Sequence, residues 1–434
     1  MYDSAALYPL GKCHPGTRKT IIKTILDWVN DPASSSDVLW LCGPAGSGKS
    51  AIMHTIAEKL HELHNERYGG SFFFARGVPG RDQATALFAT LAYQLAMNFP
   101  SLRSPINHAM ATDPILPSKS MEVQFKLLLV EPLTSCSDTP SFPPTMIIDG
   151  LDECGNSRTQ RQILATIANA IAVAHVPLRF LIASRPEYWL RDTFDHLPLL
   201  NITQQINLSD SEHASDSFED IEKYLQDGFD DIYEKNQDIM GHVKRPWPSE
   251  DLLCLFAYHA SGQFIFASVV LKFVDDESDD FSNPQDKLDI LTGPGSLQAS
   301  AFSELDQLYM RILSAYRKRD TLIQVLGGLL ECPRPKFVGV SLGIDTAELN
   351  LALRAISSLI RTDNTMADLD EDLDELYGPP KDRIQFCHLS FREFLEDKAR
   401  SGPFWIDIEA VGNDISLFLQ DMYIGSLNGT WSNQ

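Results

Sequence analysis

Apolar residues first recur at helical spacing at Ile22, Ile25, Leu26 and Val29, which predicts a leading helix over about residues 17–30. The polar run DPASSSD stops it. Five apolar residues in a row, Val38 to Cys42, then read as a short strand buried on both faces. Helical spacing returns with Ile52, Ile56, Leu60 and Leu63. Strands are predicted again at SFFF (71–74), at TMIID ending on Asp149, at LRFLIAS and at NITQQINL. Between them fall helices near 82–98, near 121–131, and one marked by Ile163, Ile167 and Ile171, while TSCSDTPSFPP reads as a surface loop. Alternating β and α elements predict an α/β fold, a mostly parallel sheet flanked by helices on both faces.

The pattern changes after about residue 210, where strands vanish. EDLLCLFAYHASGQFIFASVVLKFV reads as two helices around a Ser-Gly turn, and DDESDDFSNPQD as an acidic linker. A third unit starts near residue 300, with Leu322, Val325, Leu326 and Leu329 on one helix face and Leu349, Leu353, Ile356 and Ile360 on another. ADLDEDLDEL reads as a solvated acidic loop, and RIQFCHLSFREFLED as a strand running into a helix. Small helices with a hairpin suggest a winged-helix-like unit. The expected organisation is a lead-in helix (1–36), an NTPase core (37–210), a helical subdomain (211–299), a winged-helix-like subdomain (300–400) and a tail (401–434).

The strand at 38–42 and the helix after it are joined by GPAGSGKS, which fits G-x-x-x-x-G-K-[ST]. Flanking context matters more than the match. Glycines let successive backbone N–H groups of Gly43, Pro44, Ala45, Gly46, Ser47 and Gly48 (Pro44 excepted) converge on phosphate oxygens, and the helix N-terminus adds positive potential. Lys49 is placed to reach the β- and γ-phosphates, and the Ser50 hydroxyl to ligate Mg²⁺. The bland alternative is a Gly-rich turn between strand and helix.

Composition narrows the partners. A net charge of −23 disfavours nucleic acid and anionic membrane, both of which need basic surface. Apolar content of 44% and charged content of 22% describe an ordinary folded protein. Seven cysteines, without any C-x-x-C pair, suggest reduced thiols and no zinc site, and the first residues lack a signal-peptide pattern, so a cytoplasmic location is expected.

Hydrolysis needs a metal and a positioned water as well as a phosphate loop. MIIDGLDEC, residues 146–154, offers both: Asp149 at a strand end to hold Mg²⁺ beside Ser50, and Asp152 or Glu153 in the next loop to polarise water. Read blandly, these are loop carboxylates near a helix N-terminus. Arg185, after the strand LRFLIAS, sits where ligands of open α/β sheets bind and can sense a γ-phosphate.

In order, GPAGSGKS, FFFARG, MIIDGLDEC, FLIASRPE and QFCHLSFREFLED resemble the NACHT NTPases of the STAND signalling class, in particular their fungal branch with its leading CHPGTRKTIIKTILDWVND. The likeness covers about residues 13–410. It implies an ATPase core followed by helical and winged-helix subdomains that fold back over bound ADP. It also implies that His388 touches the ADP phosphate and that Thr17 and Arg18 approach adenine. Gly262-Gln263-Phe264 stands where many relatives carry a Gly-x-Pro turn against the base. The GTP-selecting N-K-x-D tetrapeptide is absent, which favours ATP. The expected activity is a switch, closed with ADP and self-associating with ATP, reset by slow Mg²⁺-dependent hydrolysis. Its effector or sensor partner is not legible. Two other readings stand beside it: a P-loop kinase acting on a small molecule, and a nucleotide-binding scaffold without turnover.

Overall fold

The computed structural model describes residues 11–62, 67–136, 142–172, 175–275, 283–292, 304–356, 359–362, 384–386 and 389–412. The chain divides into two compact units, Met1–Asp220 and Ile221–Gln434.

Unit one is a three-layer α/β sandwich. Its helices and strands run α1 (Lys19–Asn30), β1 (Val38–Cys42), α2 (Lys49–Glu62), β2 (Tyr68–Phe73), α3 (Leu87–Asn98), α4 (Pro100–Thr112), α5 (Met121–Phe125), α6 (Glu131–Ser135), β3 (Thr145–Asp149), α7 (Ser157–Ala172), β4 (Arg179–Ser184), α8 (Tyr188–Phe194), α9 (Leu199–Ile202) and β5 (Thr203–Asn207). A π-helical turn, Lys126–Val130, joins α5 to α6. Helix α10, Ser211–Lys235, begins in this unit. All five strands are parallel, in the order β2-β3-β4-β1-β5. The three inner strands β3, β4 and β1, and edge strand β2, are buried along their whole length because both faces are covered. One face takes Val38, Trp40, Met146, Ile148, Phe180 and Ile182 against α3, α5 and α7 through Leu87, Phe88, Leu91, Phe125 and Ile163. The opposite face takes Leu39, Leu41, Ile147 and Leu181 against α1 and α2 through Ile21, Ile25, Ile52 and Ile56. Edge strand β5, exposed at the adjacent Gln204 and Gln205 and buried at Ile206, is not covered along its whole length.

Unit two is helical: α11 (Gln237–Met240), α12 (Glu250–Ala260), α13 (Phe264–Val274), α14 (Pro284–Thr292), α15 (Glu304–Ala315), α16 (Arg319–Glu331), α17 (Pro335–Leu342), α18 (Thr346–Ala355), α19 (Leu389–Glu396) and α20 (Lys398–Ser401). A short antiparallel pair, β6 (Ile360–Thr362) and β7 (Ile384–Phe386), accompanies them. Trp247 fills the space beside Phe229 and donates Nε1–H to Gln285 Oε1 at 2.7 Å. Tyr309 packs on Phe391 and Phe394, its hydroxyl 2.8 Å from Ser390 Oγ. Arg400 grips the buried Asp306 with both arms of its fork, at 2.9 and 2.7 Å.

Three sequence expectations shift. Ile360 does not continue the helix face of Leu349 and Leu353: α18 ends at Ala355 and Ile360 opens β6. Its β-branched side chain is buried in the strand pair rather than on a helix. The helix over about 121–131 runs on through Ser135, and α4, unanticipated, follows α3 directly because Pro100 starts a helix at its first position. The acidic run ADLDEDLDEL lies outside the described residues.

Candidate functional site

The phosphate-loop sequence occupies the turn between β1 and α2. Gly46 and Gly48 both have positive φ, 73° and 89°, a conformation that side chains with a Cβ rarely adopt. Helix α2 starts at Lys49, so the unsatisfied N–H groups of its first turn face the loop. The Lys49 ammonium bends back over the turn and donates to the carbonyls of Gly43 (2.9 Å) and Pro44 (2.8 Å). Burial pulls its pKa below the ordinary lysine value, while Asp152 and Asp149 act in the opposite sense. Ser47 Oγ–H donates to Pro44 O at 2.9 Å, which closes the loop from within.

Strand β4 lies between β1 and β3. The register pairs Cys42 with Ser184 and Ile148 with Ile182, so the C-terminal ends of all three strands form one edge. Two strand spacings, about 10 Å, separate the end of β1 from the end of β3. The intervening β4 end carries Ser184, whose Oγ accepts from Trp40 Nε1 at 2.8 Å, and then Arg185.

Asp149 is 4% exposed. Among the described residues its Oδ1 has no hydrogen-bond partner, while the Ser50 hydroxyl donates to the carboxylate. Burial pushes its pKa up to about 7; the Ser50 bond opposes that rise and the Glu153 charge adds to it. A buried carboxylate with an orphaned oxygen, bonded to the loop's own hydroxyl residue, fits the hard oxygen-ligand set that Mg²⁺ requires. Gly150 follows with φ 69°, and a Cβ there would stand 3.2 Å from the Phe74 carbonyl. This tight turn swings Asp152 and Glu153 back over the sheet edge.

The two acids have different surroundings. Asp152, 6% exposed, accepts from the Arg185 backbone N–H at 2.9 Å, and its other oxygen lies 3.5 Å from Arg185 Nε. It therefore locks the β3–α7 loop to the β4–α8 turn. Its own carbonyl accepts from Gln160 Nε2, and Gln160 in turn accepts from Trp189. Glu153 makes a looser contact, accepting from the Arg76 backbone N–H at 3.1 Å. Burial raises its pKa above the ordinary glutamate value, with the Asp152 charge as the next cause. A carboxylate with a raised pKa and one weak tether suits proton transfer better than one held by two arginine bonds.

Sequence reasoning missed the arginines of the β2–α3 loop. Arg76 Nη2 reaches the Asp152 carbonyl at 3.4 Å, and Arg81 Nε–H donates to Phe73 O at 2.9 Å. The charges of Glu153 and Asp149 act on Arg81, whose pKa burial depresses. The motif FFFARG was visible, but only the β2–β3 pairing brings it beside the acids. Thr17 and Arg18 are buried behind the phosphate loop: Thr17 Oγ1 donates to His14 O at 2.8 Å, and Arg18 Nη2 donates to Ser47 O at 2.8 Å. His388 lies outside the described residues.

The strand order, the loop conformation and the buried acid at the neighbouring strand end make unit one a P-loop NTPase fold. The family model for nephrocystin 3, N-terminal, matches residues 16–185, the stretch that holds every element of this edge. No curated protein matches the chain. Among solved structures, Cdc6p from Pyrobaculum aerophilum is similar at 11% identity and a TM-score of 0.40, covering 96% of this chain and 98% of that one. The Aeropyrum pernix ORC2 protein in its ADPNP–ADP complexes is similar at 10% identity and a TM-score of 0.39, covering 97% and 99%. Drosophila ORC bound to DNA is similar at 12% and 0.39, covering 95% and 89%. These likenesses are distant, and the fold stands on the sheet and loop themselves. Among the described residues no helix is long and apolar enough to cross a membrane.

Proposed function

We propose that this chain is an ATP/ADP-operated switch of the NACHT type within the STAND class, with slow Mg²⁺-dependent hydrolysis that resets it. The observation that carries this reading is the buried Asp149, bonded to Ser50 of the phosphate loop, with an oxygen left open. Gly43 to Gly48 and Lys49 grip the polyphosphate, and Ser50 with Asp149 would hold Mg²⁺, which supplies charge neutralisation. Glu153 takes a proton from water as its oxygen bonds to the γ-phosphorus and the bond to the ADP oxygen breaks. Lys49 and Arg185 balance the charge on the phosphoryl oxygens. Asp152, bonded to Arg185, holds that arginine in place rather than acting as the base.

A switch is energetically within reach of this site. Moving a population from 1:99 to 99:1 requires about 5.5 kcal/mol of differential affinity. A γ-phosphate gaining two or three charge-assisted hydrogen bonds at ~1.5–3 kcal/mol each covers that amount. We assign the regions as lead-in (1–36), NTPase core (37–210), helical subdomain (211–299), winged-helix-like subdomain (300–400) and tail (401–434). The helices from Glu304 to Ala355 and the β6–β7 pair are consistent with the fourth. His388 is assigned to the ADP phosphate by the family resemblance, and ATP-bound copies self-associate. The kinase reading is less favoured because the acids at the sheet edge direct water, not a second substrate. The deciding experiment is to purify the chain and identify its bound nucleotide: co-purified ADP, slowly exchanged, is expected. Rapid phosphate transfer to an added small-molecule acceptor from an empty site would overturn the switch in favour of a kinase.

A further inference from the structure

Arg18 is 3% exposed, yet it is a cation far from any surface role. Its fork is divided between two elements. Nη2 donates to the Ser47 carbonyl in the phosphate loop at 2.8 Å, and Nη1 donates to Ser217 Oγ on α10 at 2.6 Å. Its backbone N–H donates to Asp220 Oδ2, one helical turn further along α10, at 2.8 Å. To make all three bonds Arg18 adopts φ 56° and ψ 23°, a left-handed conformation unfavourable to most residues with a Cβ. Strain of this kind persists where the surroundings demand it. Burial lowers the guanidinium pKa, and the charges of Asp220 and Asp216 offset that effect.

We infer that Arg18 is a positioning residue that ties the phosphate loop to the first turns of α10, so that nucleotide binding and the placement of α10 bias each other. The inference rests on the nucleotide site proposed above and names a route for its regulation. The peptide plane supplies the link. In a trans peptide the C=O of Ser47 and the N–H of Gly48 point in opposite directions. With the Ser47 carbonyl drawn toward Arg18, the Gly48 N–H is turned away from it. A phosphate oxygen that binds this N–H fixes the same plane and therefore the carbonyl on Arg18. Movement of Ser217 or Asp220 shifts Arg18 and releases the plane. Such coupling is reciprocal by thermodynamic necessity. Both terminal nitrogens of the guanidinium are engaged by protein atoms, so the arginine acts on the phosphate loop rather than on the base. Neither the P-loop motif nor its spacing points to Ser217, which lies 199 residues from Arg18.

The test uses the full chain and Mg²⁺·ADP, with affinity from calorimetry and amide hydrogen exchange on the peptide containing Ser217 and Asp220. Ser217→Ala removes the acceptor while keeping a good helix former. Arg18→Asn removes the fork while tolerating the left-handed backbone. Each is expected to weaken ADP about tenfold, the loss of one charge-assisted bond's worth of coupling. The double variant is expected to be no worse than either single one, and ADP-induced protection of α10 is expected to disappear in all three. Wild-type affinity together with unchanged ADP-induced protection in Ser217→Ala would overturn the coupling, even if Arg18→Asn does not fold. Lys49→Ala separates the two layers. If it binds ADP normally, the nucleotide site itself is wrong. If it loses ADP while Ser217→Ala does not, only the link to α10 fails.

Discussion

Replacing Asp149 with Asn isolates the electrostatic state of the site. The carboxyl goes from an ordinary 3.8 to about 7 on folding, chiefly through burial. That displacement corresponds to ~4 kcal/mol of penalty on the ionised form. Below 3.8 both folded and unfolded chains carry the proton, and the site is neutral in the balance. Between 3.8 and about 7 the unfolded chain ionises while the folded site keeps its proton, so stability is lost as the pH rises. Above that range the loss levels off. Asn has the shape of the protonated acid and no ionisation, so Asp149→Asn should be the more stable protein. Its advantage is about 1 kcal/mol at pH 4.5, growing to ~4 kcal/mol at pH 8. Urea unfolding of wild type and variant at both pH values, without nucleotide, measures the difference, and titrating groups that do not interact with Asp149 cancel in the comparison. Mg²⁺ requires the ionised form, so the wild type should bind it more tightly as pH climbs toward 7.5 and the variant should not. A stability gap that stays constant from pH 4.5 to 8, or an Asn variant less stable throughout, would refute the account of a buried, unneutralised carboxylate.

Other outcomes follow from single contacts. Glu153→Gln should retain ATP binding and stop phosphate release, and normal turnover would move the base elsewhere. Gly150→Ala should destabilise the folded chain by at least ~1 kcal/mol, from the left-handed backbone and the contact with the Phe74 carbonyl, as read by urea midpoint. Arg400→Ala leaves the Asp306 carboxylate buried without its bidentate partner and should cost about 3 kcal/mol by the same assay; a loss under ~0.5 kcal/mol would show that solvent replaces the guanidinium. His388→Leu should speed ADP release in a stopped-flow chase with a fluorescent analogue, and an unchanged off-rate removes that histidine from the site.

Local pattern was enough to read the α/β layering, the strand that feeds the phosphate loop, and the acids at the end of TMIID, because each depends on residues within one turn or one strand. An apolar run such as Val38–Cys42 must be buried on both faces wherever it lies, and G-x-x-x-x-G-K-S needs only its own strand and helix to form. Element boundaries beyond that were weaker: Ile360 shared a helical period with Leu353 but pairs with Phe386 in a strand. Only the tertiary structure decided that β4 separates β1 from β3, and therefore that Arg185 sits between loop and acid. The same holds for the different fates of Asp152 and Glu153, for the arginines of the β2–α3 loop, and for the tie from Arg18 to Ser47 and Ser217. The physical reason is common to all of them. Periodicity reports which side of an element avoids water, whereas ionisation and hydrogen-bond partners depend on what is packed against that side from elsewhere in the chain.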